Sequence, residues 1–194
     1  MRTRGSSPAR NGMSTSAEGP GAAFRRHPLS AILATGFGSG LSPVAPGTAG
    51  SAVALILAWL LSRSIGPFSA PSLAAGVGLL VSGLALGLVG VPAATRVARV
   101  LRAKDPGVIV VDEFAGQFLT SAAIPMFRPF SRVGEWAVWI ASFLLFRLFD
   151  IWKPGFIRKI QDWPEGWGIV ADDVAAGIAA AVVLAVLLSI VRLR

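Results

Sequence analysis

The acidic residues of this 194-residue chain fall into a few tight groups. Asp112 and Glu113 are adjacent inside an apolar run. Asp150 follows Arg147 by three positions, so the two share a helix face. Asp172 and Asp173 are adjacent at the head of the last apolar run. The stretch from Arg147 to Gly177 alone holds five of the ten acidic residues, with Arg147, Lys153, Arg158 and Lys159 among them. Carboxylates mixed with Arg and Lys at the edge of a membrane suit a divalent cation and a phosphate together. Plainer readings stand beside this one. The dipole of a helix favours acids in its first turn, which accounts for one acid at 112–113 more easily than for two. Gln117 is four residues after Glu113 and shares its face. An Asp before an apolar helix is a common N-cap, so for the 172–173 pair alone capping and chemistry both stand.

A second candidate is Ala34 to Ser51, ATGFGSGLSPVAPGTAGS, with five glycines and two prolines. That composition is not expected to make a regular helix. Glycine lets backbone amides approach an anion closely, and serine and threonine add hydroxyl donors. Gly38, Ser39, Gly40, Ser42, Gly47 and Thr48 are therefore candidates for cradling a phosphate. The plain alternative is a re-entrant turn that opens the first span. No G-K-[ST] closes the segment, so it is not a P-loop.

Composition narrows the chemistry. The chain has no cysteine, which removes disulfides, thiolate nucleophiles and zinc-thiolate sites. The single His27 lies in the polar N-terminal segment, which excludes a His-based metal cluster and a phosphohistidine mechanism with a second catalytic His. A net charge of +8 could suit nucleic acid. Here the basic residues flank apolar runs, where topology and anionic lipid head groups explain them better.

The elements that must position these residues are apolar. The chain is 54% hydrophobic and 14% charged, and no charge occurs from Ser64 to Thr95 or across the 18 residues from Val174 to Val191. Runs of that length fit membrane-spanning helices. Five runs are visible: Ala49 to Ser62, short for a span; Leu73 to Val91; Val108 to Phe127; Val133 to Phe149; and the run from Val174. The third contains Asp112 and Glu113, which must then face protein or water. The expected fold is an all-α polytopic membrane bundle of about five membrane-embedded or interfacial helices, some short or broken, with no significant β-sheet. Residues 1–28 read as a disordered basic tail without the apolar region of a cleaved signal peptide, and 29–194 as the membrane-embedded domain. Alternating the runs across a membrane with the N-terminus inside leaves 13 of the 18 basic residues on the inside, in keeping with the positive-inside rule. It also gathers the glycine-rich segment and all three acidic motifs at one cytoplasmic interface.

Four segments carry a resemblance: GFGSGLSPVAPGT at 36–48, DPGVIVVDEFAGQ at 105–117, FRLFDIWKP at 146–154 with Ile157-Arg158 beyond it, and GIVADDVAAG at 168–177. In this order, over most of residues 30–180, they resemble the phosphatidylglycerophosphatase A family. The chain departs from that pattern at Ala49, at Gly155-Phe156 and at Glu165-Gly166, none of which removes an acid. The resemblance implies a magnesium-dependent, multi-pass phosphatase of the bacterial inner membrane that converts phosphatidylglycerophosphate to phosphatidylglycerol and phosphate. Without Cys, a usable His or an Asp-x-Asp-x-Thr aspartyl nucleophile, such an enzyme would rely on metal-activated water. Asp112, Glu113, Asp150, Asp172 and Asp173 are the pool of ligands and bases, since Mg²⁺ prefers oxygen and keeps some of its waters. Arg147, Lys153 and Arg158 would neutralise phosphate charge. Which acid is the base, and whether one ion or two bind, stays open. The expected partners are the anionic phospholipid and the bilayer, not nucleic acid. The competing class is a small ion-coupled transporter or a membrane scaffold, because intramembrane acids and broken helices occur there too. The chain shows no internal repeat and no acid at a span midpoint, which argues against transport. The D-x2-D-G-x2-A-R signature of a CDP-alcohol phosphotransferase is absent.

Overall fold

A computed structural model of the chain describes residues 19–67 and 69–192. Among the described residues there are α-helices, two short 3-10 turns and no strand: α1 (Pro20–Arg26), α2 (Pro28–Ala34), α3 (Pro46–Ile65), α4 (Leu73–Leu101), α5 (Val111–Ser121), α6 (Arg132–Trp152), α7 (Phe156–Ile160) and α8 (Gly166–Arg192). The expected all-α membrane bundle is what forms. Helices α3, α4 and α8 are long and apolar enough to cross a membrane.

Local sequence explains where the helices begin. Pro46 occupies the first turn of α3, where its missing N–H is no loss and its fixed φ suits the helix. Gly47 to Ser51 are therefore helical, and the irregular part of the glycine-rich segment is confined to residues before Pro46. Ser72 caps α4 by accepting the Ala75 amide at 3.2 Å, and Ser131 caps α6 by accepting that of Gly134 at 3.0 Å. Helix α4 continues unbroken through Pro92 for 29 residues. Part of the expected tail is helical: α1 lies within it and buries Ala22 and Ala23. Residues 1–18 lie outside the described residues.

The third apolar run does not become a span. Helix α5 has 11 residues, about 16 Å at ~1.5 Å per residue, against roughly 30 Å of hydrocarbon. All its residues but Glu113 are buried, because α3, α4, α6 and α8 surround it. It is the axle of the bundle. Helix α6 is amphipathic: Trp139 and Phe146 are buried, while Trp136, Ile140, Leu144 and Leu148 are exposed along one face. Similar apolar faces on α4 and α8 fit lipid better than water.

Two glycines allow a close crossing of α5 and α8. A Cβ on Gly177 of α8 would come within 2.7 Å of the Gly116 Cα of α5, and one on Gly116 within 2.7 Å of the Asp173 carbonyl. Thr120 Oγ1 then donates to the Gly177 carbonyl at 3.1 Å. Small residues at a membrane-helix crossing allow this approach, and here it carries the acids of α5 to those of α8. The ends of the bundle are also defined. The Ser72 amide donates to the Pro125 carbonyl at 2.8 Å, so the α3–α4 and α5–α6 connections share one end. The starts of α3, α5 and α8 and the end of α6 lie at the other.

Candidate active site

Asp112 and Glu113 occupy the first turn of α5. Asp172 and Asp173 are the seventh and eighth residues of α8, two turns past its start, so they cap nothing. The helix begins early because tertiary contacts hold its first turn: the Gly166 amide donates to Thr95 Oγ1 at 3.0 Å. Gly168 lies too close to the Trp163 carbonyl for a side chain, at 2.5 Å from an ideal Cβ.

One carboxylate oxygen from each of Asp112, Glu113 and Asp173 lies within 4.8 Å of the other two. Asp112 Oδ1, Glu113 Oε2 and Asp173 Oδ2 are buried with no hydrogen-bond partner. Buried unpaired carboxylate oxygens are costly, and neighbouring ones repel. A cation among them resolves both problems. The donor set is all oxygen, which suits a hard ion of the Mg²⁺ or Ca²⁺ type, so these residues fit the metal that the chemistry calls for.

Asp150 and Asp172 are placed differently, each against a cation. Arg147 Nη1 lies 2.5 Å from Asp150 Oδ2 and 3.9 Å from Glu113 Oε1, and it donates to Ser51 Oγ at 3.3 Å. Lys153 is ion-paired with Asp172 and stands 4.0 Å from Asp150 Oδ1. Lys153 ends α6 in the left-handed region, with φ +45°, ahead of Pro154, and this bend turns its ammonium toward α8. Burial alone would lower the Lys153 pKa. The hydrogen bond to Asp172 and the charges of Asp173, Asp172 and Asp150 outweigh it, and the pKa rises above the usual lysine value.

The glycine-rich segment divides in two. A Cβ at Gly47 would overlap Glu113 Oε1 and come within 3.4 Å of Arg147 Nη1, so the first turn of α3 abuts the acids and cations directly. The amides of Gly47 and Thr48, in that first turn, have no acceptor within the helix. Gly38, Ser39, Gly40 and Ser42 do something else. Ser39 Oγ donates to the Gly36 carbonyl at 2.8 Å and Ser42 Oγ to that of Val44 at 2.9 Å. Gly40 is pressed against the Val108 carbonyl, and the Val110 amide donates to Ala34 O at 2.8 Å. Among the described residues no hydrogen bond or ion pair joins these four to the acids. This turn braces the entry to α5 from behind.

Arg158 is exposed on α7 and makes no ion pair among the described residues. Gln117 does not face the acids. Its Nε2 donates to Ser121 and Ser142, at 3.1 and 3.3 Å, and so ties α5 to α6. Asp162 pairs with Lys104 at 3.2 Å and Glu165 with Arg99, all exposed, where ion pairs contribute little. The site residues that sequence reasoning missed are Gly116 and Gly177, whose only signal was a small residue in an apolar helix. Ser51, read among the hydroxyls of the glycine-rich segment, meets Arg147.

A bundle with helices fit for a bilayer, holding open carboxylate oxygens among arginine and lysine at one end, is built as a membrane phosphatase. The family model of phosphatidylglycerophosphatase A matches residues 32–188, and the chain belongs to that family. It is 37% identical over 148 residues to phosphatidylglycerophosphatase A of Escherichia coli, covering 76% of each chain. It is 38% identical over 148 residues to that of Haemophilus influenzae, covering 76% of this chain and 81% of the relative. A relative from Bacteroides thetaiotaomicron named "Putative phosphatidylinositol-3-phosphatase" is 39% identical over 153 residues, covering 77% of this chain and 87% of its own length. No solved structure matches the chain.

Proposed function

We propose that this protein hydrolyses phosphatidylglycerophosphate to phosphatidylglycerol and inorganic phosphate, using Mg²⁺ held by Asp112, Glu113 and Asp173. The observation that carries the reading is the set of three buried, unpartnered carboxylate oxygens on these residues. Asp150 and Asp172 complete the acidic pool and hold Arg147 and Lys153 in place. Those two cations neutralise the phosphomonoester as charge develops on its oxygens. The Gly47 and Thr48 amides, at the start of α3, supply further donors of the kind that favour anions. Bound magnesium would contribute Lewis-acid charge and a more acidic water. The water oxygen attacks phosphorus, a carboxylate of the pool takes the water proton, and the bond to the glycerol oxygen breaks. That oxygen leaves with a proton, and phosphate is released. The share of Lys and Arg on this side, 13 of 18 counting the N-terminal segment and the 93–107 and 147–173 connectors, supports a cytoplasmic orientation for this end at the inner membrane.

The test is phosphate release from phosphatidylglycerophosphate by the purified full chain in mixed micelles. Release should stop in EDTA and return with excess Mg²⁺. Full turnover in chelator would remove the metal from the reading. No release with Mg²⁺ present would sink the reading itself. Phosphatidylinositol 3-phosphate belongs in the same assay, given the name of the 39% identical relative, and should turn over more slowly.

A further inference from the structure

Beside the acids lies a groove that shares Arg147 with them and is otherwise unused by the chemistry above. Leu144, Leu148, Ile151 and Trp152 of α6 line it, together with Arg147 and Arg158. Its volume is about 890 Å³. The four apolar side chains are more than half exposed. Positions 144, 148 and 151 fall on one helix face at i, i+4 and i+7, a strip about 10 Å long. Arg147 belongs to both regions: it lines the groove and lies 2.5 Å from Asp150. A second opening reaches Asp172 from elsewhere, where Lys104 stands among Asp105, Glu165 and Gln161. Three carboxylates to one ammonium suit water or a cation there, and neither a phosphate nor an acyl chain.

We infer that the groove seats the lipid part of the substrate, with one acyl chain along Leu144, Leu148 and Ile151 and the phosphodiester linking the two glycerols against Arg158. The inference rests on the phosphatidylglycerophosphatase reading. Charge decides the occupant. A substrate of this class carries two phosphates, and the structure offers two sets of cations, one at the acids and one in the groove. Arg147 and Lys153 are engaged with the acids. Arg158 is exposed beyond them without an ion pair among the described residues. Arg147 and Arg158 line the same groove as the apolar strip, so a phosphomonoester at Arg147 leaves a second anion within reach of Arg158 and an acyl chain against the apolar side chains.

The test compares dioleoyl with dihexanoyl phosphatidylglycerophosphate in mixed micelles, with the full chain and saturating Mg²⁺. Leu148→Trp fills the groove. It should lower the ratio of kcat/KM for the long-chain over the short-chain lipid by about tenfold relative to wild type. Ile151→Trp is a second variant with the same expectation. Val182→Trp, on the exposed face of α8, should leave the ratio unchanged. Arg158→Gln should raise KM for both lipids more than it lowers kcat. A long-to-short ratio unmoved by both groove variants, or moved equally by Val182→Trp, would make this an ordinary lipid-facing surface and overturn the inference. An Arg158→Gln loss confined to kcat would overturn the phosphodiester assignment. Failure of the wild type on both lipids would instead strike the proposed function, and this inference with it.

Discussion

The bundle buries charge at both ends, and the two ends are finished differently. Helix α3 touches both. Its Ser51 hydroxyl meets Arg147, and its Ser62 hydroxyl meets Arg128 at 2.9 Å, eleven residues and about 16 Å apart. At the Arg128 end the charge is paired, although Arg128 Nε makes no hydrogen bond among the described residues. Arg128 is fully buried, pairs with Glu135 at 3.3 Å and donates to the Pro67 carbonyl. Trp139 Nε1 adds a bond to Glu135. At the other end five carboxylates face Arg147 and Lys153, and three of their oxygens have no partner. Buried charge by itself marks nothing, since paired and hydrogen-bonded charge is ordinary structure. Charge left unbalanced within the chain marks a place where something from outside belongs.

The largest effect should come from breaking the acidic end. Asp173→Asn keeps the shape of the side chain and removes one charge. Because Asp173 lies two turns inside α8, helix capping is not at issue. Turnover should fall about 100-fold or more while the protein stays folded. A second readout separates metal binding from general damage. Mg²⁺ should raise the thermal midpoint of the wild type, as a ligand of the native state does, and raise that of the variant much less. Wild-type turnover with an undiminished Mg²⁺ shift would make this end as structural as the other.

The Arg128 end should show the reverse pattern. Arg128→Met leaves Glu135 partly buried without its partner. Glu135 keeps some exposure, so the expected loss of stability is about 2 kcal/mol, below that of a fully buried orphan. Chemical denaturation in detergent would measure it. Turnover per folded molecule should not change. A loss of kcat in the folded variant would mean that the two ends are coupled through the bundle.

This contrast was only partly legible in the sequence. The convergence of 112–113, 150 and 172–173 at one end followed from apolar runs alternating across a membrane, and it survives even though one run is too short to cross. The length of α5 was not legible. A helix wrapped in protein and a helix wrapped in lipid both need an apolar surface all round, so Val108 to Phe127 reads the same in either case. The start of α8 was hidden as well. Trp163-Pro164-Glu165-Gly166 looks like a break, and close backbone contacts, not local propensity, begin the helix there. The glycine-rich segment misled in one respect. Its hydroxyls looked available to an anion, yet Ser39 and Ser42 spend theirs on carbonyls two or three residues away, a local competition that composition does not reveal.

The smallest effects give the finest comparison, because one helix offers the same substitution at both ends. Ser51 and Ser62 are both fully buried on α3, and each accepts from an arginine. Either serine to alanine removes one hydrogen bond to a charged donor, worth about 1 kcal/mol. That loss should appear in different observables. Arg128 relies on Ser62 within a charge-paired network away from the acids, so Ser62→Ala should lower unfolding stability by about 1 kcal/mol and leave kcat/KM alone. Arg147 is already held by Asp150, so Ser51→Ala should cost little stability. It loosens the guanidinium beside Glu113, and kcat/KM for phosphatidylglycerophosphate should fall about fivefold, the kinetic equivalent of about 1 kcal/mol. Denaturation midpoints and initial rates on the two variants side by side decide the matter. Equal losses of stability with no kinetic difference would show that Arg147, like Arg128, only holds the bundle together.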